Sequence, residues 1–576
     1  MKYNLYILKH MSSLIITSHL PSSAIVPPLS SDSKHVLSKR AVEVPSNISG
    51  NHTFDTNSRL EFDINSPSSF VDFLQSYIRF DLTTTLSFEG VTDGSRYLSE
   101  GGAHALFKTI EVSSAAGVRI ARMEAYNRWY SIMSSAIHSR EYVERALVRE
   151  ADGADGYSQT SGYVSPDGYA VTGTAFAWDS TGGASELLLT GTASTFLTDL
   201  RVKDIVVIED ANLESHIGVV ESILTNTTAT VAFSKTGDVT IAGNFLRVLK
   251  PQAKSVRNLI AVTANSSICF QPAVPFLQMQ EWLPLFLIRG GIKVRLDLER
   301  PEMVLCSPQH LISTGWTNAS YTITNANYVC QYIQPDQSLS EAYLQMYRGS
   351  GLAYHFQNVA HQMDVFTSVA ARKNIVMNVG VRSARTLMCR IQNQRGQSTT
   401  DATVNGGKST FTCDSIAQGI KGNLSYWQVE SGSERYPLSG PIDTTSIDNS
   451  ELQVELQQCF QAMGSSLATP RYLPCQWEEV ASSVEPFEQG VVPTGRADSD
   501  RLIISANLAR SDSPFAGLDL SLNSLNIQPT FDASYSLFDD DGTSNEAASA
   551  SLYWLSFLGY DSTMLLQSDS GMRLFS

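Results

Sequence analysis

Residues 292–299 alternate without a break: Ile292, Val294, Leu296 and Leu298 on one side, Lys293, Arg295, Asp297 and Glu299 on the other. A period of two belongs to an extended strand with one face buried and one face wet, and no helix can sort these side chains that way. The pattern recurs. Leu60, Phe62 and Ile64 alternate with Glu61 and Asp63, and Ile78, Phe80 and Leu82 with Arg79, Asp81 and Thr83. Residues 107–112 and 118–120 flank Gly117 and predict a hairpin. Further strands are expected at 267–270, 354–359, 374–381, 385–392, 502–506 and 518–522, with an apolar run at 282–288 and a Gly290-Gly291 turn after it.

Helical spacing is rare by comparison. Tyr126, Trp129, Tyr130 and Met133 predict a short helix over 124–136. A second is expected over 338–347, stopped by Gly349, with Leu339, Tyr343, Leu344 and Met346 available to pack. A third starts at Ser450 as N-cap, carries Leu452, Leu456, Cys459, Phe460 and Met463 on one face, and stops at Gly464. Many strands and few helices define an all-β chain, here a pair of β-sandwiches.

The organisation along the chain follows from shifts in composition. Residues 1–53 are Ser- and Pro-rich without sustained periodicity and read as a flexible N-terminal arm, mildly basic through Lys34, Lys39 and Arg40. From Ala151 the chain turns Gly-, Ser- and Thr-rich, and 151–190 reads as loop. Short strands at 205–208, 216–223, 229–233 and 239–248 then suggest a small β-barrel or sandwich inserted into the first unit. The second unit starts near Tyr321.

The 576 residues carry 41 Lys and Arg against 57 Asp and Glu, a formal net charge of −16. An acidic chain is a poor phosphate binder. Charged residues make only 17% of the chain, low against an average of roughly 25%, and charge is depleted at the cores of interfaces. No run of eighteen apolar residues occurs, so no membrane-spanning helix is expected. His19 and Pro21 interrupt the weak apolar patch at 14–17, and no signal peptide is read. Seven cysteines (Cys269, Cys306, Cys330, Cys389, Cys413, Cys459 and Cys475), odd in number and without CxxC spacing, fit reduced thiols better than disulfides or zinc. The six Asn-x-Ser/Thr sequons, Asn47 and Asn318 among them, are what a Ser/Thr-rich chain produces by chance.

The motifs that suggest chemistry fail in context. Residues 402–409 satisfy a relaxed phosphate-loop pattern with Lys408 and Ser409, but a polar stretch precedes them and a strand pattern follows, so a surface turn is expected. The Asp539-Asp540-Asp541-Gly542 run would place Leu537 first and Ala548 twelfth in a calcium loop, which removes the bidentate ligand. His355 and His361 read as strand residues, and Glu478 and Glu479 are adjacent in sequence without reason to converge. Trp129 and Trp282 read as core or interface residues rather than a stacking platform. No catalytic, cofactor-binding or metal site is assigned, and none of these cofactors is expected.

Three stretches carry a family resemblance: residues 58–65 with 73–82; residues 106–112, 117–120 and the helix at Tyr126-Asn127; and residues 275–277 with 283–298. Their order resembles the double jelly-roll major capsid proteins of double-stranded DNA viruses, in the virophage, Polinton and polinton-like group. The resemblance implies two consecutive eight-stranded jelly-roll sandwiches with few short helices and a small inserted β-barrel in the first. The division it implies is a first jelly roll of 54–150 plus 256–310, an insertion at 151–255 and a second jelly roll of 320–576. It further implies a non-enzymatic subunit of a homotrimeric, pseudo-hexameric capsomer in the virion, assembled inside the host cell. The partners implied are neighbouring capsomers and minor capsid, cement and penton proteins, with the N-terminal arm touching the capsid interior and no small-molecule substrate. The insertion resembles small barrels that decorate viral coat and tail proteins. Two other readings stand beside it: a two-sandwich glycan-active hydrolase, which needs convergent carboxylates between the sandwiches, and a lectin-like adhesin with the barrel as recognition module.

Overall fold

The computed structural model describes residues 36–88, 97–98, 101–137, 169–170, 175–179, 188–192, 194, 196, 200, 205–210, 215–225, 227–233, 240–249, 266–306, 316–366, 371–392, 416, 419, 424–438, 440–444, 450–463, 502–511, 515–531, 552–568 and 571–576. The expected turns at 402–409 and 539–542, the Glu478–Glu479 pair, and Cys413 and Cys475 lie outside the described residues.

The first sandwich opens with β1 (Val36–Pro45), β2 (Arg59–Ile64) and β3 (Phe70–Phe88), followed by the hairpin β4 (Phe107–Ser114) and β5 (Arg119–Met123) and by helix α1 (Tyr126–Ile137). The inserted unit then supplies β6 (Ala175–Asp179), β7 (Leu188–Thr192), β8 (Ile205–Asp210), β9 (Ser215–Ile223), β10 (Thr228–Phe233) and β11 (Thr240–Leu249). The sandwich resumes with β12 (Ser266–Phe270), β13 (Ile292–Leu298) and the long β14 (Trp316–Pro335). One sheet runs β2–β13–β4–β5 and the other β1–β14–β3–β12, all antiparallel. The alternation of β13 becomes its packing: Ile292, Val294 and Leu296 are fully buried, while Lys293 pairs across to Glu61 and Asp63, Asp297 pairs across to Arg59, and Arg295 pairs with Asp297 along the strand. Each buried aliphatic side chain contributes about 1.5–3 kcal/mol, against ~0–1 kcal/mol for an exposed ion pair, so the apolar face holds the register.

Gly290 and Gly291 make the turn into β13 with φ of 79° and 80°. A Cβ on Gly291 would sit 2.2 Å from the carbonyl oxygen of Ile64, so both the left-handed backbone and the close approach demand glycine.

The second sandwich follows α2 (Gln337–Arg348), which Asp336 caps by accepting a 2.8 Å bond from the Leu339 N–H. Its strands are β15 (Leu352–Phe366), β16 (Ile375–Met377), β17 (Ala384–Gln392), β18 (Leu424–Ser431) and β19 (Glu434–Tyr436), then helix α3 (Ser450–Ala462), β20 (Ile504–Asn507), β21 (Leu525–Phe531) and β22 (Leu552–Gln567), with β23 (Gly571–Phe575) pairing the end of β22. Counted from β15 as one to β22 as eight, the sheets run 1-8-3-6 and 2-7-4-5. That order is produced by two interlocked Greek keys. In the first sandwich the opening strand β2 likewise pairs with the closing β13, which pairs with β4, while β3 pairs with β12. The fold is a double jelly roll.

Strand pairing departs from the sequence reading in four places. Val36–Pro45 forms β1 along the edge of β14, whereas the reading put residues 1–53 in a flexible arm; a polar strand with few buried side chains carries no periodicity to read. β14 pairs with β3 and so extends the first sandwich's sheet, although residues 320 onward were read as the start of the second unit. Residues 518–522 form only an isolated bridge at Leu518, because Asp519 Oδ1 accepts a bond from the Ser521 N–H and turns the chain away from the ladder. The Gly- and Ser-rich stretch read as loop contains β6 and β7.

Those two strands complete the insertion. Its pairing runs β8–β9–β10–β7–β6–β11, and β11 pairs back to β8, which closes a barrel. Phe176 and Trp178 of β6 point inward with Val206, Ile208 and Val231, and the Trp178 indole N–H donates to the Val231 carbonyl at 3.0 Å. This core shares no residue with the core that runs through both sandwiches.

Candidate functional site

The place where the two sandwiches meet is built on α1. After Ala125, at φ 50°, the helix presents an aromatic face and a polar face. Tyr126, Trp129, Tyr130 and Met133 are buried, as their spacing leads one to expect. The His104 ring stacks on Tyr130 at 3.6 Å, its Nδ1 is 2.6 Å from the Tyr126 hydroxyl, and that hydroxyl accepts from the Ala273 N–H.

The other face carries Asn127, Arg128 and Ser131, all buried. Glu299, at the end of β13, accepts from Asn127 Nδ2 at 3.0 Å and from Arg128 Nη1 at 3.5 Å through Oε2, and from the Arg300 N–H at 3.1 Å through Oε1. From the second sandwich, Gln392 Oε1 accepts from Arg128 Nε at 3.4 Å, and the fully buried Arg390 donates from Nη1 to Ser131 Oγ at 2.6 Å. Asn358 on β15 donates to the Ile120 carbonyl on β5 at 3.2 Å and to Ser562 Oγ. Apolar contacts flank these bonds: Phe276 meets Phe356 at 5.1 Å, and Phe70 meets Tyr343 of α2 at 4.9 Å. The junction is a continuous core threaded by bonded polar groups, and such networks tie orientation more than they add net stability.

His355 and His361 both lie on β15, as strand residues. The His355 Nδ1 is 2.8 Å from Thr563 Oγ1, and burial pushes its imidazole below the ordinary range. Cys269, Cys330, Cys389 and Cys459 are not joined in disulfides, and burial pushes the Cys389 thiol up to about 12. Trp129 and Trp282 are core, with Lys39 of β1 lying 5.4 Å over the Trp282 ring. Among the described residues no three His, Cys, Asp or Glu side chains group as metal ligands. Glu299 is the carboxylate that the junction brings in, and it is occupied by Asn127, Arg128 and the Arg300 amide, so it cannot act as a free acid or base without breaking that set.

The residues that build the junction were not singled out from the sequence. The available signal was polarity in the wrong place: Asn127-Arg128 inside an aromatic helix, and Arg390 inside a strand whose residues are all buried.

No family model matches the chain, and no curated protein matches it in sequence. Among solved structures it is similar to the Faustovirus major capsid protein, with 10% identity, 96% of this chain and 94% of that chain covered, and a TM-score of 0.49. It is also similar to the PBCV-1 virus capsid (10% identity, 95% and 98% covered, TM-score 0.44) and to the mavirus major capsid protein (9% identity, 97% and 93% covered, TM-score 0.41). All three are viral capsid proteins.

Proposed function

We propose that this chain is the major capsid protein of a double-stranded DNA virus, a structural subunit that closes into trimers and tiles an icosahedral shell. The observation that carries the reading is the pair of jelly rolls in one chain, locked at a solid junction through α1. Three such chains present six similar sandwiches, so three-fold closure yields a near six-fold outline suited to tiling. Jelly rolls keep sheet edges short and protected, which favours defined neighbours over uncontrolled strand pairing. The low charge fraction agrees with a chain much of whose surface meets other protein.

In this account the protein resides in the virion and is assembled inside the host cell. Its partners are copies of itself, neighbouring capsomers, and minor capsid, cement and penton proteins. The barrel within 151–255 decorates the outer surface, and the residues before β1 contact the capsid interior. A hydrolase would require a second carboxylate facing Glu299 and a route to it, whereas Glu299 is engaged by Asn127 and Arg128 of α1 and by the Arg300 amide. The test is negative-stain imaging of the purified chain over a range of salt and pH. Hexagonal particles or shells support the capsid reading; single chains under every condition overturn it.

A further inference from the structure

Each sandwich carries a helix against the third strand of its own sheet: α1 packs on β4, and α3 packs on β17 and β20. The sheets themselves match position for position. Opening, closing and third strands run β2–β13–β4 in the first sandwich and β15–β22–β17 in the second. Within the chain, the helix of the first sandwich meets the sheet of the second. Arg128 and Ser131 of α1 bond to Gln392 and Arg390 near the end of β17. Residues 126–134 of α1 are accordingly all buried, and so is every residue of β17.

The counterparts of these two surfaces are left uncovered. α3 buries Leu452, Leu456, Cys459 and Phe460 against its own sandwich but exposes Glu451, Val454, Gln457 and Gln461 along one stripe, and Val454 is 51% exposed. The first sandwich's sheet, β2–β13–β4–β5, keeps one wet face. The places on it that match Arg390 and Gln392 are Glu111 and Ser113 near the end of β4, and Arg122 and Arg119 of β5 stand opposite them in register. Charge is complementary. α3 carries Glu451 and Glu455 and no Lys or Arg, whereas β4 and β5 carry Lys108, Arg119 and Arg122 against Glu111. Arg122 is held by Glu124 at 2.9 Å, but Arg119 is 60% exposed and reaches Glu111 only at 3.9 Å, which leaves it room for a second carboxylate.

In a ring closed by a three-fold axis, every sandwich has a neighbour on each side. Contacts within the chains supply every other junction, and the rest must join the second sandwich of one copy to the first sandwich of the next. We propose that α3 of one copy seats its Glu451–Val454–Gln461 stripe on the wet face of β4 and β5 in the next copy, repeating between chains the contact that α1 makes within one. The contact is heterologous, helix on sheet, and closes after three copies. It rests on the capsid-subunit reading and adds the surface by which that subunit recognises a second copy of itself.

The test places a photoreactive benzoylphenylalanine at position 454 of the full chain. After illumination, a denaturing gel is expected to show bands at two and three chain masses, with peptide mapping placing the adducts within residues 107–123 of another chain. The double variant Glu451→Arg with Val454→Arg, which sets two cations against a basic face, is expected to move the gel-filtration mass from about 189 kDa, three times 63.0 kDa, to 63.0 kDa with far-UV circular dichroism unchanged. A wild type at 189 kDa whose adducts map elsewhere, or a double variant that stays at 189 kDa, overturns this surface and leaves the capsid reading standing. A wild type that stays at 63.0 kDa overturns both. If the double variant loses its circular dichroism, the adduct map decides alone; if the probe at 454 blocks assembly, the same probe at Gln461 supplies that map.

Discussion

Glu299 is a buried carboxylate whose loss should be costly. Its side chain is 5% exposed and the Arg128 side chain 8%, so their pairing is almost wholly out of water. Glu299→Leu removes the acceptor for Asn127 and Arg128 and leaves the buried guanidinium without that carboxylate. Breaking a buried pair from one side costs about 3–5 kcal/mol, because the remaining charge keeps its desolvation penalty. At about 2–4 °C per kcal/mol for units of this size, the unfolding midpoint should fall by ~6–20 °C. Glu299→Gln retains a neutral acceptor and should cost less, about 1–3 kcal/mol. Replacing both partners, Glu299→Leu with Arg128→Met, removes the unpaired charge together with the pair and should recover most of the loss, since isosteric apolar replacement of a buried pair is often neutral. The assay is thermal unfolding at pH 7.5 of the wild type, Glu299→Leu, Arg128→Met and the double variant, read as a double-mutant cycle, with Glu299→Gln measured beside them. A single-variant cost under about 1 kcal/mol, or a double variant no more stable than the worse single, would refute the claim that this pair is buried and coupled.

Three other outcomes follow from the packing. Trp178→Ala should destabilise the barrel by about 3–5 kcal/mol and lower only its own calorimetric transition, because the barrel core shares no residue with the sandwiches; a single transition that shifts as a whole would contradict separate cores. Gly291→Ala should cost roughly 2–5 kcal/mol from left-handed backbone and overpacking together, and a urea midpoint within error of wild type would show that the turn relaxes freely. Cys330, Cys389 and Cys459 are buried with thiols pushed up, whereas Cys269 is partly exposed, so iodoacetamide at pH 8 should label Cys269 first among these four. Peptide mapping that finds Cys389 labelled as fast in the folded chain would contradict its burial.

Strands with one wet face were legible because water imposes the alternation: β2, β4 and β13 follow the expected residues almost to the end. The most central strand was not. β22 pairs with both β15 and β17, and its run Trp554-Leu555-Ser556-Phe557-Leu558 is buried on both faces, which removes the period-two signal. The barrel strand β6 was hidden for a different reason, since its inward Phe176 and Trp178 are set in a background of Gly, Ser and Thr. The junction was beyond local reading altogether. Arg128 meets Glu299 across 171 residues and Gln392 across 264, and Ser131 meets Arg390 across 259, so no window of sequence contains both partners. The helix that carries three of these groups could be read from its aromatic stripe, but its polar stripe gave no sign that it would be covered by a second sandwich.

The central claim, that this chain is a capsid building block, is tested most directly by the mass of the purified protein in solution, from light scattering on a gel-filtration peak. The account predicts about 189 kDa, three times the 63.0-kDa chain, or larger assemblies built from that unit. A stable 63.0-kDa species across salt and pH would contradict it.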